Sequence, residues 1–309
     1  MNASTIEQGF SKDADAASYD GQADDYGKYV DRLSLPLADF ICGLAHLKPG
    51  DHVLDVGTGP GVAARKAAQS VAPNGSVVGI DLSAGMIDTA KRSVANWQNK
   101  PPSFRLMDAE SLDFNDTSFD AVISLSAVAH FPDIVQAIGE MSRVLKPGGR
   151  IVVSFGYARP IAAFPLSIHI AKRVLSKVLQ PVRPQIVGPD FLTRLAKLSL
   201  PEPAQEINTE WGNHDQRGYL LQVVRNHGIE QVEASWKGHE LIFDSAEEFW
   251  QAQAAIVTEI RKRILCASPE TVDRLKHDFL NAANSILLRG GKLIYPYGAY
   301  YVSGRRPLG

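Results

Sequence analysis

The stretch VLDVGTGPG, residues 53–61, carries the most informative pattern in the chain. It joins an apolar run with one carboxylate, Asp55, to a turn with glycines at positions 57, 59 and 61. Glycine has no side chain, so a ligand can approach the backbone of such a turn closely. A buried strand, a glycine-rich turn and a helix form a common ligand site at the carboxyl edge of a parallel sheet. The stretch therefore predicts an α/β fold with a ligand at this turn.

The sequence around this turn repeats the alternation of strand and helix. Between residues 50 and 157, the apolar runs DHVLDV, GSVVGID, SFRLMD, FDAVISL and GRIVVSFG are separated by segments with helical spacing. Continuous apolar runs are typical of strands that are buried on both faces. With further strand patterns at 232–243 and 299–304, the sequence predicts a doubly wound, mostly parallel, seven-stranded Rossmann-like sheet with an inserted helical cap.

The composition changes along the chain predict four parts. These are an N-terminal segment that is a candidate lid (1–33), a ligand-binding core (34–157), a helical cap insertion (158–230) and the C-terminal part of the core (231–309). A helix is expected over 35–47. The preceding residues are polar, so we expect them to be held loosely, except through tyrosines such as Tyr19 and Tyr26.

The spacing of the glycines distinguishes between nucleotide ligands. The dinucleotide fingerprint G-x-G-x-x-G has Val62 at its last position here, which disfavours NAD and FAD, and no G-K-[ST] follows as in a Walker loop. Asp55, Asp81 and Asp108 end three successive strands, so three carboxylates are expected along one edge of the sheet. They would repel a pyrophosphate and attract a cation, by about 4 kcal/mol for charges ~4 Å apart at an effective dielectric near 20.

S-adenosylmethionine satisfies these conditions, because it carries a sulfonium, an ammonium, a ribose and an adenine but no phosphate. The acid that closes a second strand is placed to accept hydrogen bonds from ribose hydroxyls in nucleotide sites. Asp81 is expected to take this role.

Several motifs in this order resemble one enzyme family. The motifs VLDVGTGPG, VVGIDLSAGMI, LMDAESLDF, FDAVISLSAVAHFPD and VLKPGGRIVVSFG are similar to those of class I S-adenosylmethionine-dependent methyltransferases. The subset most similar is the small-molecule enzymes related to the ubiquinone- and menaquinone-biosynthesis C-methyltransferases. The resemblance covers roughly residues 45–157 and implies S-adenosyl-L-methionine as cofactor.

The resemblance also implies which residues contact the cofactor. They are Asp55, Gly57, Thr58, Gly59, Gly61, Asp81, Leu82, Met86, Asp108, Ala109, Ser124 and Ser126, with Tyr19 and Tyr26 as further candidates. The glycine loop would lie against the methionine part, and Asp108 with Ala109 would meet the adenine edge. Met86 or its neighbour would pack on adenine, although an apolar helix residue is commonly core. Asp55 has the alternative role of bracing the loop through backbone N–H groups.

Catalysis of methyl transfer needs no protein nucleophile. Alignment of the reactants alone can supply effective molarities of about 10⁵–10⁸ M. An oxygen or nitrogen acceptor also requires proton removal, for which histidine is suited. His130, in SAVAHFPD after the fourth strand, is the first candidate and His169 in the cap the second, each with a purely structural role as the alternative. The histidines and acids do not have the spacing of a metal site, so no metal site is predicted.

The long apolar cap predicts a hydrophobic or amphipathic small-molecule acceptor, natural-product or quinone-like, because such elements close over a reaction and exclude water. Lys172, Arg173 and Lys177 in the cap would steer an anionic tail or touch a membrane surface. A net charge of −2 and the absence of an N/D-P-P-Y/F/W motif after the fourth strand argue against nucleic acid. Two alternatives stay open: a methyltransferase fold that catalyses a cyclisation or rearrangement, and a non-catalytic cofactor-binding module.

The compartment is predicted from the first residues and from the cysteines. MNASTIEQGF has neither a basic nor an apolar region of a signal peptide, and no apolar run is long enough to span a membrane. Cys42 and Cys266 form no CxxC pair. We expect a cytoplasmic protein, and the sequence leaves its oligomeric state open.

Overall fold

The structure is a computed structural model that describes residues 12–20, 23–98, 100–156, 185–187, 190–202 and 215–308. The chain forms two compact units. The first consists of Met1–Gly156, Ala204–Lys237 and Ala299–Gly309, and the second of Tyr157–Pro203 and Gly238–Gly298. The second unit thus takes in much of the segment after residue 231 that the sequence pattern assigned to the core.

The secondary structure of the described residues follows the predicted alternation. The strands are β1 (His52–Val56), β2 (Ser76–Asp81), β3 (Ser103–Leu106), β4 (Phe119–Ser124), β5 (Leu145–Gly156), β6 (Gln185–Val187), β7 (Glu230–Phe243) and β8 (Lys292–Arg305). The helices are α1 (Lys12–Asp20), α2 (Ala23–Leu44), α3 (Val62–Val71), α4 (Ala84–Ser93), α5 (Ile134–Val144), α6 (Asp190–Ser199), α7 (Gln216–Asn226), α8 (Ala246–Ile256), α9 (Thr258–Leu265) and α10 (Pro269–Leu288), with a 3-10 helix at Val128–His130. The described strands number eight rather than seven, because the three-residue β6 pairs with the start of β8.

The sheet of the first unit is doubly wound. Its strands lie in the order β3-β2-β1-β4-β5, all parallel, and residues 299–305 of β8 run antiparallel along β5. The order reverses at β1, whose neighbours are β2 and β4. Ligands of open α/β sheets bind at the carboxyl ends of the strands beside such a reversal. The prediction of a mostly parallel Rossmann-like sheet is confirmed.

Burial explains why the strand sequences are continuously apolar. Val53, Leu54 and Val56 of β1 are fully buried, as expected for a central parallel strand with helices on both faces. The helix after β2 begins at a capping residue, Ser83, whose Oγ accepts a hydrogen bond from the backbone N–H of Met86 at 3.1 Å. These elements place the carboxyl ends of β1 and β2 next to each other.

Lys12–Asp20 and Ala23–Leu44 form helices although the first part of the chain is polar. α2 begins at Ala23, so the expected start of this helix near residue 35 is wrong. Asp31 contacts Arg65 of α3 at 2.5 Å, and Asp24 contacts Arg92 of α4. Each such exposed pair is worth only about 0–1 kcal/mol, so the buried face of α2 carries most of its stability.

The second unit has an aromatic core. The ring centroids of Phe249 and Phe279 lie 5.9 Å apart, and Trp250 and Phe243 pack beside these rings.

Among the helices described in either unit, none is both long and apolar enough to cross a membrane.

Candidate functional site

The three glycines of the loop after β1 have different surroundings. All have positive φ, at 68° for Gly57, 54° for Gly59 and 85° for Gly61. A Cβ at Gly57 would clash with the Cβ of Ala127, and one at Gly61 would lie 2.9 Å from the ring of Phe104. A Cβ at Gly59 would have no atom within 4 Å. Gly57 and Gly61 are therefore required by packing inside the protein, whereas Gly59 leaves a surface that a ligand can approach.

Asp55 stabilises this loop through a hydrogen bond with Thr58. It is 1% exposed, and its Oδ2 accepts a hydrogen bond from the hydroxyl of Thr58 at 2.6 Å. Burial raises the pKa of Asp55 to about 7, against the opposing effect of the Thr58 hydrogen bond. Its other oxygen, Oδ1, is buried and makes no hydrogen bond to any described residue. Asp55 thus braces the loop through the side chain of Thr58, and a backbone hydrogen bond from Ala64 of α3 also lowers its pKa.

Asp81 joins the end of β2 to the same loop. Its Oδ2 accepts a hydrogen bond from the backbone N–H of Gly59 at 2.8 Å, and its Oδ1 accepts one from Ser83 at 3.0 Å. Desolvation raises the pKa of Asp81, although the backbone hydrogen bonds oppose this. The negative charge of Asp81 in turn raises the pKa of Asp55. Two of the three predicted carboxylates therefore contact neighbouring residues of the loop, Asp55 at Thr58 and Asp81 at Gly59.

Asp108 lies after β3 and has a different partner. Its Oδ2 is 2.5 Å from the Nζ of Lys12, and its Oδ1 accepts a hydrogen bond from the backbone N–H of Glu110. Lys12 also contacts the carboxylate of Glu110 at 2.8 Å. Ala109 is 9% exposed. The adenine edge implied by the resemblance is therefore bordered by a cation from the N-terminal helix.

The loop after β4 contributes two serines. Ser124 is fully buried, and Ser126 has a positive φ of 57° with its backbone N–H donating to Ser154 Oγ at 2.8 Å. The hydroxyls of Ser124 and Ser126 make no hydrogen bond to the described residues. Buried hydroxyls in folded proteins generally have partners, so these two are candidates for a ligand or a water.

His130 ends the 3-10 helix that follows these serines. Its Nδ1 lies 3.0 Å from Oδ2 of Asp15, and its Nε2 lies 3.5 Å from the hydroxyl of Tyr19. The ring of Tyr19 packs edge-on against those of His130 and Tyr26, with centroids 5.9 Å and 5.7 Å apart. The structure therefore brings the predicted base and both predicted tyrosines into one cluster.

The remaining predicted residues have less distinctive positions. Met86 is 3% exposed within the core, and Leu82 is half-buried. His169, Lys172, Arg173 and Lys177 lie outside the described residues. Within the described part of the chain, no group of His, Cys, Asp and Glu could hold a metal ion.

Sequence reasoning missed three residues of α1 that contact this site. Lys12 reaches Asp108, Asp15 reaches His130, and Asp20 accepts hydrogen bonds from the hydroxyl of Ser83 and the backbone of the next turn. The acidic residues near Tyr19 were a sequence signal that this segment contacts the site. Nothing in the local pattern specified their distant partners.

Comparison with known proteins identifies the family. A methyltransferase-domain profile matches residues 54–153. A demethylmenaquinone methyltransferase of Symbiobacterium thermophilum is 41% identical over 108 residues, which are 35% of this chain and 43% of that protein. A 27-O-demethylrifamycin SV methyltransferase of Amycolatopsis mediterranei is 32% identical over 221 residues, which are 70% of this chain and 78% of that protein. The chain belongs to the class I S-adenosylmethionine-dependent methyltransferases.

Coverage of other relatives of this methyltransferase is partial. The chain spans 43%, 34% and 30% of the length of three curated relatives that it matches. Among solved structures, the YcgJ protein of Bacillus subtilis is 21% identical, with 89% of this chain and 99% of that chain covered and a TM-score of 0.49.

The site of the methyltransferase fits its cofactor, S-adenosylmethionine. The cofactor supplies a methyl group on a positively charged sulfur. Asp55 and Asp81 provide negative charge beside Gly59, the one loop glycine with open space above it. A cation placed there would favour the ionised carboxylates, whose pKa values burial otherwise raises. The buried hydroxyls of Ser124 and Ser126 add two polar groups that need partners.

Proposed function

We propose that this methyltransferase moves the methyl group of S-adenosylmethionine to an oxygen or an acidic carbon of a hydrophobic or amphipathic small molecule. The observation that carries the proposal is the pair Asp55 and Asp81, which contact the neighbouring loop residues Thr58 and Gly59 and interact electrostatically with each other. This arrangement suits a cationic cofactor with a ribose and repels a pyrophosphate. We assign Asp81 to the ribose hydroxyls and Asp108 to the adenine edge.

The class of acceptor is inferred from the relatives. The relatives include 27-O-demethylrifamycin SV, nocamycin, aklanonic acid and demethylmenaquinone methyltransferases, whose names denote small organic acceptors. The charge supports the same class, because a chain with a net charge of −2 lacks the basic footprint of a nucleic-acid binder. A cytoplasmic location fits the two free thiols, Cys42 and Cys266, since cysteines stay reduced there.

His130 is the proposed general base. It follows β4, close in sequence to Ala127, which packs against Gly57 of the loop, and it interacts electrostatically with Asp81. A histidine in this position can accept the proton of an acceptor hydroxyl as the new bond to carbon forms. Alignment of acceptor and cofactor supplies the rest of the rate.

The N-terminal helix is the proposed lid. α1 contacts the segments after three different strands, through Lys12 at Asp108, Asp15 at His130 and Asp20 at the start of α4. A helix with contacts along this edge is placed to cover a bound cofactor. Limited proteolysis tests the lid: saturating S-adenosylhomocysteine should slow cleavage near Tyr19, and an unchanged cleavage rate would remove α1 from this role.

The activity test is the mass of the product. The full chain is incubated with S-adenosylmethionine and three acceptors: a hydroxyanthraquinone, a hydroxylated macrolactone and a prenylated hydroquinone. Gain of one CH₂ by an acceptor, with release of S-adenosylhomocysteine, supports methyl transfer. An isomer of the acceptor would indicate rearrangement chemistry instead, and cofactor binding without turnover of any acceptor would count against the proposed acceptor class.

A further inference from the structure

Asp15 reaches His130 from outside the sheet. Its Oδ2 is 3.0 Å from Nδ1 of His130, and the side chain of Asp15 is 6% exposed, against 35% for that of His130. A carboxylate this close to an imidazole accepts the hydrogen of Nδ1 and holds the ring in one orientation. The proton is then carried on Nδ1, which leaves the lone pair on Nε2.

The surroundings of Nε2 indicate where that lone pair is used. The hydroxyl of Tyr19 lies 3.5 Å away, at the outer limit for a hydrogen bond. An acceptor hydroxyl closer than this would be the better partner. Asp81, which we assign to the cofactor ribose, interacts electrostatically with the same ring. Among the described residues, the titratable groups that act on His130 include Asp15 at one ring nitrogen, Tyr19 near the other, and Asp81 at longer range.

We propose that Asp15 is a positioning residue that prepares His130 to act as the base. The proposal rests on the proposed methyl transfer. The acceptor O–H bond breaks and its proton goes to Nε2 of His130. The acceptor oxygen bonds to the methyl carbon, and the S–CH₃ bond breaks with its electron pair remaining on sulfur. The Asp15 carboxylate stabilises the imidazolium that results, because the two opposite charges lie 3.0 Å apart and the carboxylate is buried.

The position of Asp15 in the chain adds a condition on catalysis. It belongs to α1, which is also held through Lys12 and Asp20. The base is therefore in its working geometry only while α1 lies on the edge of the sheet. Proton abstraction is coupled in this way to coverage of the cofactor.

The first test needs no acceptor. Nitrogen-15 NMR of histidine-labelled full-length protein, saturated with S-adenosylhomocysteine, reports which ring nitrogen of His130 carries the proton, with assignment by His130→Gln. We expect protonated Nδ1 in the wild type and a mixture of both forms in Asp15→Asn, because an amide offers a donor and an acceptor. The control Asp13→Asn changes an exposed acid on the same helix and should match the wild type. Protonated Nε2 in the wild type, or no difference in Asp15→Asn, would overturn the proposal.

The second test is kinetic and uses the first of the three acceptors that gains a methyl group. Asp15→Asn should lower kcat by at least about tenfold while the Kd for S-adenosylhomocysteine stays within about twofold of the wild type. The double variant Asp15→Asn/His130→Gln should be little slower than His130→Gln alone, since both act on one proton. If the wild type methylates none of the acceptors, the proposed function fails and the NMR result still decides the role of Asp15. If Asp15→Asn keeps the wild-type kcat, the positioning role fails even though methyl transfer stands.

Discussion

Asp81 accepts a hydrogen bond from the backbone N–H of Gly59 at 2.8 Å, and this contact ties the end of β2 to the loop that follows β1. The second carboxylate oxygen accepts a hydrogen bond from the backbone of Ser83, at the start of α4. A carboxylate has about four acceptor positions, so capacity remains for a hydroxyl of a ribose. One side chain thus shapes the glycine loop and presents acceptors to the cofactor.

The first prediction follows from this double role. Asp81→Ala should weaken binding of S-adenosylmethionine by about 1–3 kcal/mol, because the ribose hydroxyls lose a charged acceptor and the loop loses a hydrogen bond. Isothermal titration calorimetry measures the change. The control is Asp88→Ala, an exposed acid on α4, which should bind like the wild type. Equal affinity in the two variants would remove Asp81 from the cofactor site.

The second prediction separates two glycines of the loop. Both Gly59→Ala and Gly61→Ala place a Cβ at positive φ, which costs about 1–2 kcal/mol. Gly61→Ala also presses that Cβ against Phe104 at 2.9 Å and Ala90 at 3.3 Å, which adds about 1–3 kcal/mol. Urea unfolding should therefore show the larger loss of stability for Gly61→Ala.

Cofactor affinity completes the comparison of the glycines. Gly59→Ala fills space that we assign to the cofactor, so it should lose affinity for S-adenosylhomocysteine while remaining the more stable variant. An unchanged Kd in Gly59→Ala would mean that the cofactor does not lie over this residue.

The glycine loop and its acids could be predicted because their information is local. Residues 53–71 form a strand, a turn and a helix in direct succession, so the positions of Asp55 and of the three glycines follow from the local sequence pattern. The same pattern repeats in the next strand and helix, and so it also predicts that Asp81 ends β2. The start of α2 was also available in the sequence, since Val30, Leu33 and Leu37 have helical spacing and are all buried. That signal was outweighed by the polarity of the surrounding residues.

The contacts of α1 could not be predicted in the same way. Lys12 and Asp108 are 96 residues apart, and Asp15 and His130 are 115 apart. No periodicity or motif relates such positions, because their meeting depends on how a separate helix lies on the finished sheet. The tyrosines near residues 19 and 26 indicated that this segment was involved but not which partner each charge would find.

The third prediction concerns the pH dependence of stability. Burial raises the pKa of Asp55 to about 7 in the folded protein, whereas an aspartate in an unfolded chain has a pKa of about 3.9. Between these values the folded state binds the additional proton, so the free energy of unfolding falls as the pH rises, and the loss is complete above the folded pKa. Asp55→Asn lacks the titrating group and serves as the reference. Relative to this variant, the free energy of unfolding of the wild type should fall by about 1–4 kcal/mol between pH 4.5 and 7.5.

Urea unfolding of both proteins at the two pH values measures this difference. Asp88→Asn serves as the control, because its acid is exposed and should contribute no comparable slope. A difference between wild type and Asp55→Asn that is independent of pH would show that Asp55 stays ionised in the folded state throughout.

The fourth prediction addresses the base. His130→Ala should slow methyl transfer to a hydroxyl acceptor by roughly 10²–10⁴-fold, because no group then takes the proton from the acceptor. Its affinity for S-adenosylmethionine should stay near that of the wild type, since the glycine loop and Asp81 are intact. His52→Ala is the matched control: His52 lies at the opposite end of β1 and contacts Ser76 at 2.6 Å, so its loss should leave turnover unchanged. The rate of S-adenosylhomocysteine release at steady state is measured for the wild type and both variants. A wild-type rate in His130→Ala would mean that this histidine has a structural role only, in which its contacts with Asp15 and Tyr19 hold α1 in place.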